Sequence, residues 1–291
     1  MSSLPEYCVA CLSNKFEYLF NKNNYDIYKC LNCRTSVVWP LPTVNVTNNI
    51  YADDYFNSQN DFGYKDYMKT EDLTRNECRM LLEHLPIKKG KLLEIGSGLG
   101  FFLDEAEKIG FSVEGLELNI QAVEYSNKVL NKKVVCQKFE NFTHTTKDYE
   151  VVVMLDIIEH LLDPNLGIKK VNHLLKNKGW LLLRTPNSSS KLSKEKGINW
   201  EQIKPPEHLY YFSQEGLMIF LRNAGFEIKN IKHIGGTGLC TGENIKIRLA
   251  LAIIKRFVKF LKYLQKIGLL IAKCRGNLDT IIIYAQKKKD V

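Results

Sequence analysis

The chain has 291 residues, of which 45% are hydrophobic and 25% are charged, and its formal net charge is +9. Residues 244–291 carry twelve Lys or Arg and two Asp, whereas the rest of the chain carries 29 basic and 30 acidic side chains. This distribution argues against nucleic-acid binding through the whole surface. A secretory leader and an apolar run of about 18 residues are both missing from the sequence, so we expect a cytoplasmic protein.

Four of the eight cysteines occur as two C-x2-C pairs near the start of the chain, eighteen residues apart. The pairs are Cys8 with Cys11 and Cys30 with Cys33. Two such pairs complete the four-thiolate shell that Zn²⁺ adopts in structural sites. The residues between the pairs predict a hairpin around Asn23 and Asn24. We therefore expect residues 1–42 to form a small zinc ribbon whose folding depends on the metal.

Residues 43–90 form a tyrosine-rich linker and lead-in helix, and residues 91–291 predict a larger domain. The linker tyrosines either cover a ligand as a lid or pack the ribbon onto the rest of the chain. Apolar runs then alternate with helical periodicity. The predicted strands are KLLEIG, SVEGLEL, KVVC, YEVVVML, KGWLLLRTPN, FEIKNIKHI and DTIIIYAQ. This alternation predicts an α/β fold with a largely parallel sheet between helix layers.

The turn after the first of these strands, EIGSGLG, predicts a ligand site. Its glycines let the backbone approach a ligand closely. A dinucleotide-binding turn requires glycine at position 101, where this chain has Phe101. Glu94 precedes the glycines, and Glu117 ends the next strand, where an acid suits a hydrogen bond to ribose hydroxyls.

LLEIGSGLG, GLELN, MLDIIEHLLDP and LLLRTPN resemble the successive motifs of class I S-adenosylmethionine-dependent methyltransferases, over about residues 70–235 and the final strand. The resemblance implies a seven-stranded sheet of six parallel strands and one antiparallel strand. It also implies that S-adenosylmethionine lies across the carboxyl ends of the first strands. By motif position, the implied cofactor residues are Glu94, Gly96, Ser97 and Gly98 at the methionine part, Glu117 with Leu118 at the ribose, Phe139 and Glu140 near the adenine, and Leu155 and Asp156 near the methyl group.

A zinc module, a tyrosine-rich linker and the segment PEHLYYFS occur together in this chain. Together they resemble methyltransferases that act on deoxysugar nucleotides or belong to surface-glycan pathways. This narrower resemblance implies methyl transfer to a nucleotide-linked or lipid-linked sugar. Two alternatives remain open: DIIEHLLDP also resembles O-methyltransferases of quinone-like lipids, and the ribbon with the basic C-terminal segment is compatible with RNA binding or modification. The RNA alternative is weaker because the basic residues alternate with an apolar face and not with exposed aromatic side chains for base stacking.

The segment PPEHLYYFS carries the candidate acid–base groups. Methyl transfer to a hydroxyl or a sugar carbon requires removal of a proton, and an imidazole suits this role. Glu207 and His208 match the active-site Glu-His pair of nucleotide-sugar C-methyltransferases. We expect His208 to be the base, with Glu207 orienting it or contacting the acceptor. His160, in DIIEHL, is the rival candidate because it follows the fourth strand of the domain.

Residues 243–275 predict a basic amphipathic helix inserted before the final strand. Six of its basic residues recur on one narrow stripe, and apolar residues, including Phe and Tyr, occupy nearly all of the remaining helix surface. The apolar face can be buried against its own domain, against a second subunit in a homodimer, or at the anionic inner face of the membrane. The sequence leaves these three partners open.

Overall fold

The computed structural model describes residues 4–50, 70–143, 147–235 and 278–291. The strands are β1 (Phe16–Lys22), β2 (Tyr25–Cys30), β3 (Ser36–Trp39), β4 (Gly90–Ile95), β5 (Phe111–Glu117), β6 (Val134–Cys136), β7 (Tyr149–Leu155), β8 (Leu175–Pro186), β9 (Tyr210–Tyr211), β10 (Phe226–Ile234) and β11 (Thr280–Lys287). The helices are α1 (Val44–Ile50), α2 (Glu71–Glu83), α3 (Phe101–Lys108), α4 (Ile120–Lys128), α5 (Pro164–Leu174), α6 (Lys191–Lys196) and α7 (Gln214–Asn223). The linker tyrosines at positions 51, 55, 64 and 67 and the basic helix predicted at 243–275 lie outside the described residues.

The larger sheet has seven strands in the order β10-β11-β8-β7-β4-β5-β6. Strand β11 pairs antiparallel with both of its neighbours, and the pairs among β8, β7, β4, β5 and β6 are parallel. The prediction of six parallel strands and one antiparallel strand is therefore confirmed. The central strand β7 is a continuous apolar run whose residues 151–154 are fully buried, as expected for a strand covered on both faces.

Side-chain caps fix where the helices begin beside the carboxyl ends of the strands. Asn119 accepts a hydrogen bond from the backbone N–H of Ala122 and starts α4 directly after β5. Asp163 caps α5 in the same way, with Pro164 as the first helical residue. Each cap ends a short loop after a strand, so these loops meet at one edge of the sheet.

The N-terminal strands form a second sheet in the order β1-β2-β3-β9. Asn23 and Asn24 both have positive φ, as the tight turn between β1 and β2 requires, so the predicted hairpin is confirmed. Strand β9 comes from the PPEHLYYFS segment and pairs with β3 through Ser36 and Val37. The ribbon sheet is thus completed by a strand from the distant half of the chain, which the sequence did not indicate.

Three further hydrogen bonds join the ribbon to this segment. The side-chain amide of Asn23 donates to the carbonyl of Pro205 at 2.9 Å. The backbone N–H of Val38 donates to the carbonyl of Leu209 at 2.9 Å. The hydroxyl of Ser213 donates to the carbonyl of Cys33. These contacts lie on both sides of His208, so the ribbon fixes the position of the segment that carries it.

Within the described part of the chain, the structure contains no helix that is both long enough and apolar enough to span a membrane.

Candidate functional site

A cavity of about 790 Å³ opens at the carboxyl edge of the large sheet. It is bounded by the loops after β4, β5, β6 and β7, by the end of β8, by helix α2 and by residues between 202 and 208. The sequence-predicted cofactor and catalytic residues all line it: Glu94, Gly96, Ser97, Gly98, Glu117, Leu118, Phe139, Glu140, Leu155, Asp156, His160, Glu207 and His208. The fold therefore brings together residues that are more than one hundred positions apart in the chain.

The glycine turn forms one wall of this cavity. Gly96 has φ 73° and Gly98 has φ 51°, backbone conformations that favour glycine. A Cβ atom at Gly96 would lie 2.1 Å from Cδ1 of Ile157, so a side chain has no room there. The turn brings peptide groups next to the cavity, as a site for a closely bound ligand requires.

Glu117 is held by backbone N–H groups at the end of β5. Its carboxylate accepts hydrogen bonds from Gly98 at 2.8 Å, from Leu118 at 2.7 Å and from Asn119 at 2.9 Å. Burial raises the pKa of Glu117, and these three donors act against that effect. The two carboxylate oxygens keep further acceptor capacity, so they can also bind hydroxyl groups of a ligand.

Glu94 is a buried carboxyl group with a free acceptor. Its side chain is 3% exposed, and Oε2 has no hydrogen-bond partner among the residues that the structure describes. Burial raises the pKa of Glu94 well above its usual range, the nearby Glu117 adds to this rise, and Arg184 opposes it. Buried polar atoms in native proteins are normally paired, so this oxygen marks a position where a ligand donor fits.

Arg184 also lines the cavity, although the sequence motifs did not predict it as a site residue. Its guanidinium donates to Oδ2 of Asp156 at 2.5 Å and to Oε1 of Glu77 at 2.7 Å. These bonds tie the ends of β7 and β8 to helix α2. The sequence signal that could have identified Arg184 is its charge within the otherwise apolar run LLLRTP of β8.

The two candidate histidines lie against each other. The ring centroids of His160 and His208 are 4.7 Å apart, and the ring planes are nearly perpendicular at 88°. Nδ1 of His160 lies 2.8 Å from the backbone carbonyl oxygen of Glu207. A carbonyl only accepts, so Nδ1–H is the donor and Nε2 of His160 carries the lone pair. Glu207 therefore orients His160 through its main chain.

Burial changes the acid–base properties of both rings. It lowers the pKa of His160, and it lowers the pKa of His208 well below its usual range, with His160 and Lys204 acting in the same direction. The sequence does not reveal this burial, because it depends on segments that are distant in the chain. The lowered pKa values favour the neutral form of both imidazoles, which carries a lone pair but is a weaker base than an exposed imidazole.

Tyr210 and Tyr211 do not line the cavity. The hydroxyl of Tyr210 donates to the carbonyl of Leu162 at 3.1 Å, and the hydroxyl of Tyr211 donates to the carbonyl of His208 at 3.0 Å. Both rings are buried. They anchor the main chain on either side of the cavity and do not present acid–base groups to it.

The four ribbon cysteines form a compact cluster. Their sulfur atoms all lie within 4.8 Å of one another, and the closest pairs, Cys8 with Cys33 and Cys11 with Cys30, are 3.5 Å apart. A tetrahedral ion with Zn–S bonds of about 2.3 Å places its sulfurs roughly 3.8 Å apart. The residues present therefore fit a closed four-thiolate zinc site.

Comparison with known proteins agrees with this architecture. A family model described as "Methyltransferase domain" matches residues 70–231. The "Ubiquinone biosynthesis O-methyltransferase" of Pelagibacter ubique (strain HTCC1062) is 31% identical over 111 residues, which are 36% of this chain and 46% of that protein. The protein of the same name from Coxiella burnetii (strain Dugway 5J108-111) is 25% identical over 114 residues, which are 38% of this chain and 49% of that protein. The chain thus spans about half the length of the curated relatives it matches.

Solved structures share the fold at low sequence identity. The 1,6-didemethyltoxoflavin-N1-methyltransferase of Burkholderia thailandensis, solved with S-adenosylhomocysteine, has a TM-score of 0.55 and 12% identity, covering 94% of this chain and all of that chain. An S-adenosylmethionine-dependent methyltransferase of Thermotoga maritima has a TM-score of 0.53 and 20% identity, covering 77% of this chain and 95% of that chain. The family model covers more than half of the sequence. The chain belongs to the methyltransferase domain family.

Proposed function

We propose that this chain transfers the methyl group of S-adenosylmethionine to a nucleotide-linked or lipid-linked sugar in surface-glycan or deoxysugar synthesis. The observation that carries the proposal is the shared cavity. The glycine turn, Glu94 and Glu117 line one part of it, the cofactor side, and the segment with Glu207 and His208 lines another part, the acceptor side. A cofactor side and an acceptor side thus face one space.

The residues on the first side fit S-adenosylmethionine. Glu117 lies at the strand end where ribose hydroxyls bind in nucleotide sites of this topology. The unpartnered Oε2 of Glu94 suits the cationic amino group of the methionine part. When bound, this cofactor supplies a methyl group that is activated by a positively charged sulfur atom.

The histidines on the acceptor side are candidates for accepting the proton that the acceptor group loses. Nδ1 of His208 is buried and has no hydrogen-bond partner among the described residues. When Nε2 carries the hydrogen of the neutral ring, the lone pair of Nδ1 is able to accept a proton from the acceptor group. His160 lies beside this position and is the second candidate for the same step.

The sugar assignment rests on the combination of modules. The ribbon and the PPEHLYYFS segment are joined by the β3–β9 pairing and by three further hydrogen bonds, so they form one structural unit next to the acceptor side. In this proposal the ribbon holds a structural Zn²⁺ and fixes the acceptor-binding segment. Cytoplasmic location, contact of residues 243–275 with an anionic membrane, and a homodimer remain predictions from the sequence.

A second candidate function is O-methylation of a quinone-like lipid. It is favoured by the names of the curated relatives, which match about 110 residues of this chain. Two features of this chain need to be considered beside those names. One is the acceptor-side segment between residues 202 and 208, and the other is the ribbon, which precedes the part that the family model matches. We rank the sugar first because the ribbon pairs with the segment that carries His208, and both modules belong to the resemblance to sugar-modifying methyltransferases. The RNA alternative gains no supporting observation from the described residues.

Mass spectrometry of defined acceptors tests this function. The chain is incubated with S-adenosylmethionine carrying a deuterated methyl group and, separately, with sugar nucleotides, lipid-linked sugars and a demethylated quinone. We expect label in a sugar and none in the quinone. Label in the quinone alone would refute the sugar proposal and support O-methylation of a quinone-like lipid. Glu117→Ala serves as the loss-of-function control, and His173→Ala serves as the matched control because His173 is exposed on α5 and away from the cavity.

A further inference from the structure

A second group of metal-ligand side chains lies inside the cavity. Glu159, His160 and His208 each offer one ligand atom, and these atoms all lie within 4.8 Å of one another. Glu159 and His160 belong to the short helical turn Ile158–His160 after β7, and His208 belongs to the segment before β9. The backbone N–H of Leu209 donates to the carbonyl of Glu159 at 2.8 Å, so the two segments hold each other in this arrangement.

Two of the three side chains are nearly fully buried and carry atoms without partners. Oε1 of Glu159, a residue 1% exposed, has no hydrogen-bond partner within the described ranges, and neither has Nδ1 of His208, a residue 5% exposed. The third, His160, directs its Nδ1–H to a backbone carbonyl, so Nε2 is its possible ligand atom. Leaving the two unpartnered atoms of Glu159 and His208 unpaired in a protein interior is unfavourable, so their presence in one cluster points to an absent ligand.

The surrounding contacts are those that usually support metal ligands. A ligating histidine normally donates its other N–H to a carbonyl or a carboxylate, as His160 does to Glu207. A ligating carboxylate is normally hydrogen-bonded through its second oxygen. Here Oε2 of Glu159 accepts from the hydroxyl of Thr185 at 3.0 Å.

We infer that Glu159, His160 and His208 form a divalent-metal site, with Zn²⁺ as the ion that best matches two imidazoles and one carboxylate. Three protein ligands leave a fourth position open, and all three residues line the cavity. The open position takes a hydroxyl oxygen of the acceptor. This site is separate from the four-cysteine cluster, whose shell is closed.

The ion would give the acceptor's proton a second route. A hydroxyl bound to the cation loses its proton more readily, because the positive charge stabilises the oxyanion. The O–H bond breaks, the proton goes to solvent water, and the electron pair stays on the oxygen. This oxygen would then bond to the methyl carbon while the C–S bond breaks, and S-adenosylhomocysteine would leave with the electron pair on sulfur. When the site holds no ion, Nδ1 of His208 accepts the proton directly. The role of the ion rests on the proposed function, whereas its binding does not.

Metal analysis of the full chain tests the site. Protein equilibrated with excess Zn²⁺ and freed of unbound ion should contain two zinc ions per chain, one in the cysteine cluster and one in the cavity. Glu159→Gln and His160→Ala should each contain one, and His173→Ala should contain two. Calorimetry with S-adenosylhomocysteine and near-ultraviolet circular dichroism identify the variants that have kept the fold.

Anomalous diffraction at the zinc absorption edge keeps the test independent of the variants. Wild-type crystals grown with Zn²⁺ should show a peak between Glu159, His160 and His208, with bonds of about 2.0–2.2 Å. One zinc per chain, with the only peak at the cysteines, overturns the inference. If a sugar is methylated under that outcome, the proposed function stands without the second ion. If two zinc ions bind and no sugar is methylated, the site stands and the proposed function fails.

Discussion

Gly216→Ala tests how strongly the ribbon is joined to the acceptor side of the cavity. A Cβ atom at Gly216 would lie 2.0 Å from Oγ1 of Thr35 and 3.3 Å from Sγ of Cys33. Non-bonded heavy atoms normally pack at about 3.5–4.0 Å, so Thr35 or helix α7 must shift by roughly 1.5 Å. Overpacking of this kind costs about 1–3 kcal/mol. At roughly 2–4 °C per kcal/mol for domains of 150–250 residues, we expect the Tm to fall by about 2–12 °C.

The shift should also reach the acceptor side of the site. Ser213 accepts a hydrogen bond from the N–H of Gly216 at 2.8 Å and donates to the carbonyl of Cys33, and His208 lies five residues before Ser213. We therefore expect a higher KM for the acceptor and little change in affinity for S-adenosylhomocysteine, because the glycine turn and Glu117 lie on the other side of the cavity.

A double-mutant cycle measures the coupling. Thr35→Ala removes the clashing hydroxyl, so Thr35→Ala/Gly216→Ala should recover most of the lost stability, with a coupling energy of about 0.5–3 kcal/mol. Gly197→Ala is the control: its Cβ meets nothing within 4 Å, so it reports only backbone strain at positive φ, which Thr35→Ala should not relieve. The reasoning is refuted if Gly216→Ala is as stable as wild type, or if the two substitutions are simply additive.

Three further predictions concern the cavity itself. Glu117→Ala should weaken binding of S-adenosylhomocysteine by about 1–3 kcal/mol in calorimetry, the usual cost of losing hydrogen bonds to a charged acceptor; unchanged affinity would remove Glu117 from the site. Glu94→Gln should stabilise the unliganded protein in urea unfolding as the pH rises from about 4.5, since a raised folded-state pKa means that the wild type loses stability over that range; equal stability at every pH would contradict this. His208→Ala should slow single-turnover methyl transfer by about 10²–10⁴, with His173→Ala unaffected; a comparable loss in His160→Ala together with nearly normal His208→Ala would assign the proton to His160.

The sheet could be predicted because its central strands carry long apolar runs. Residues 151–155 of β7 are all apolar, and β4 is followed at once by the glycine turn, so both elements could be recognised from local sequence. Glu94 and Glu117 could be placed for the same reason, because the carboxyl ends of parallel strands meet at one edge. Their perturbed acidity could not be predicted, since it depends on burial by other segments.

The acceptor side depends on contacts between distant residues. The pairing of β9 with β3 joins residues about 175 positions apart, and two residues of strand are too short to be recognised from the sequence. His160 and His208 come into contact only because the turn after β7 and the PPEHLYYFS segment bind each other through Leu209. Glu159 was part of a recognised motif, yet its convergence with the two histidines needed the fold.

Equilibrium binding of the cofactor product tests the central claim most directly. The purified full chain is titrated calorimetrically with S-adenosylhomocysteine and, separately, with NAD. The two titrations show which of these ligands the protein binds. The account predicts one molecule of S-adenosylhomocysteine per chain, weaker binding by Glu117→Ala, and no measurable binding of NAD. Binding of NAD in place of S-adenosylhomocysteine would contradict it.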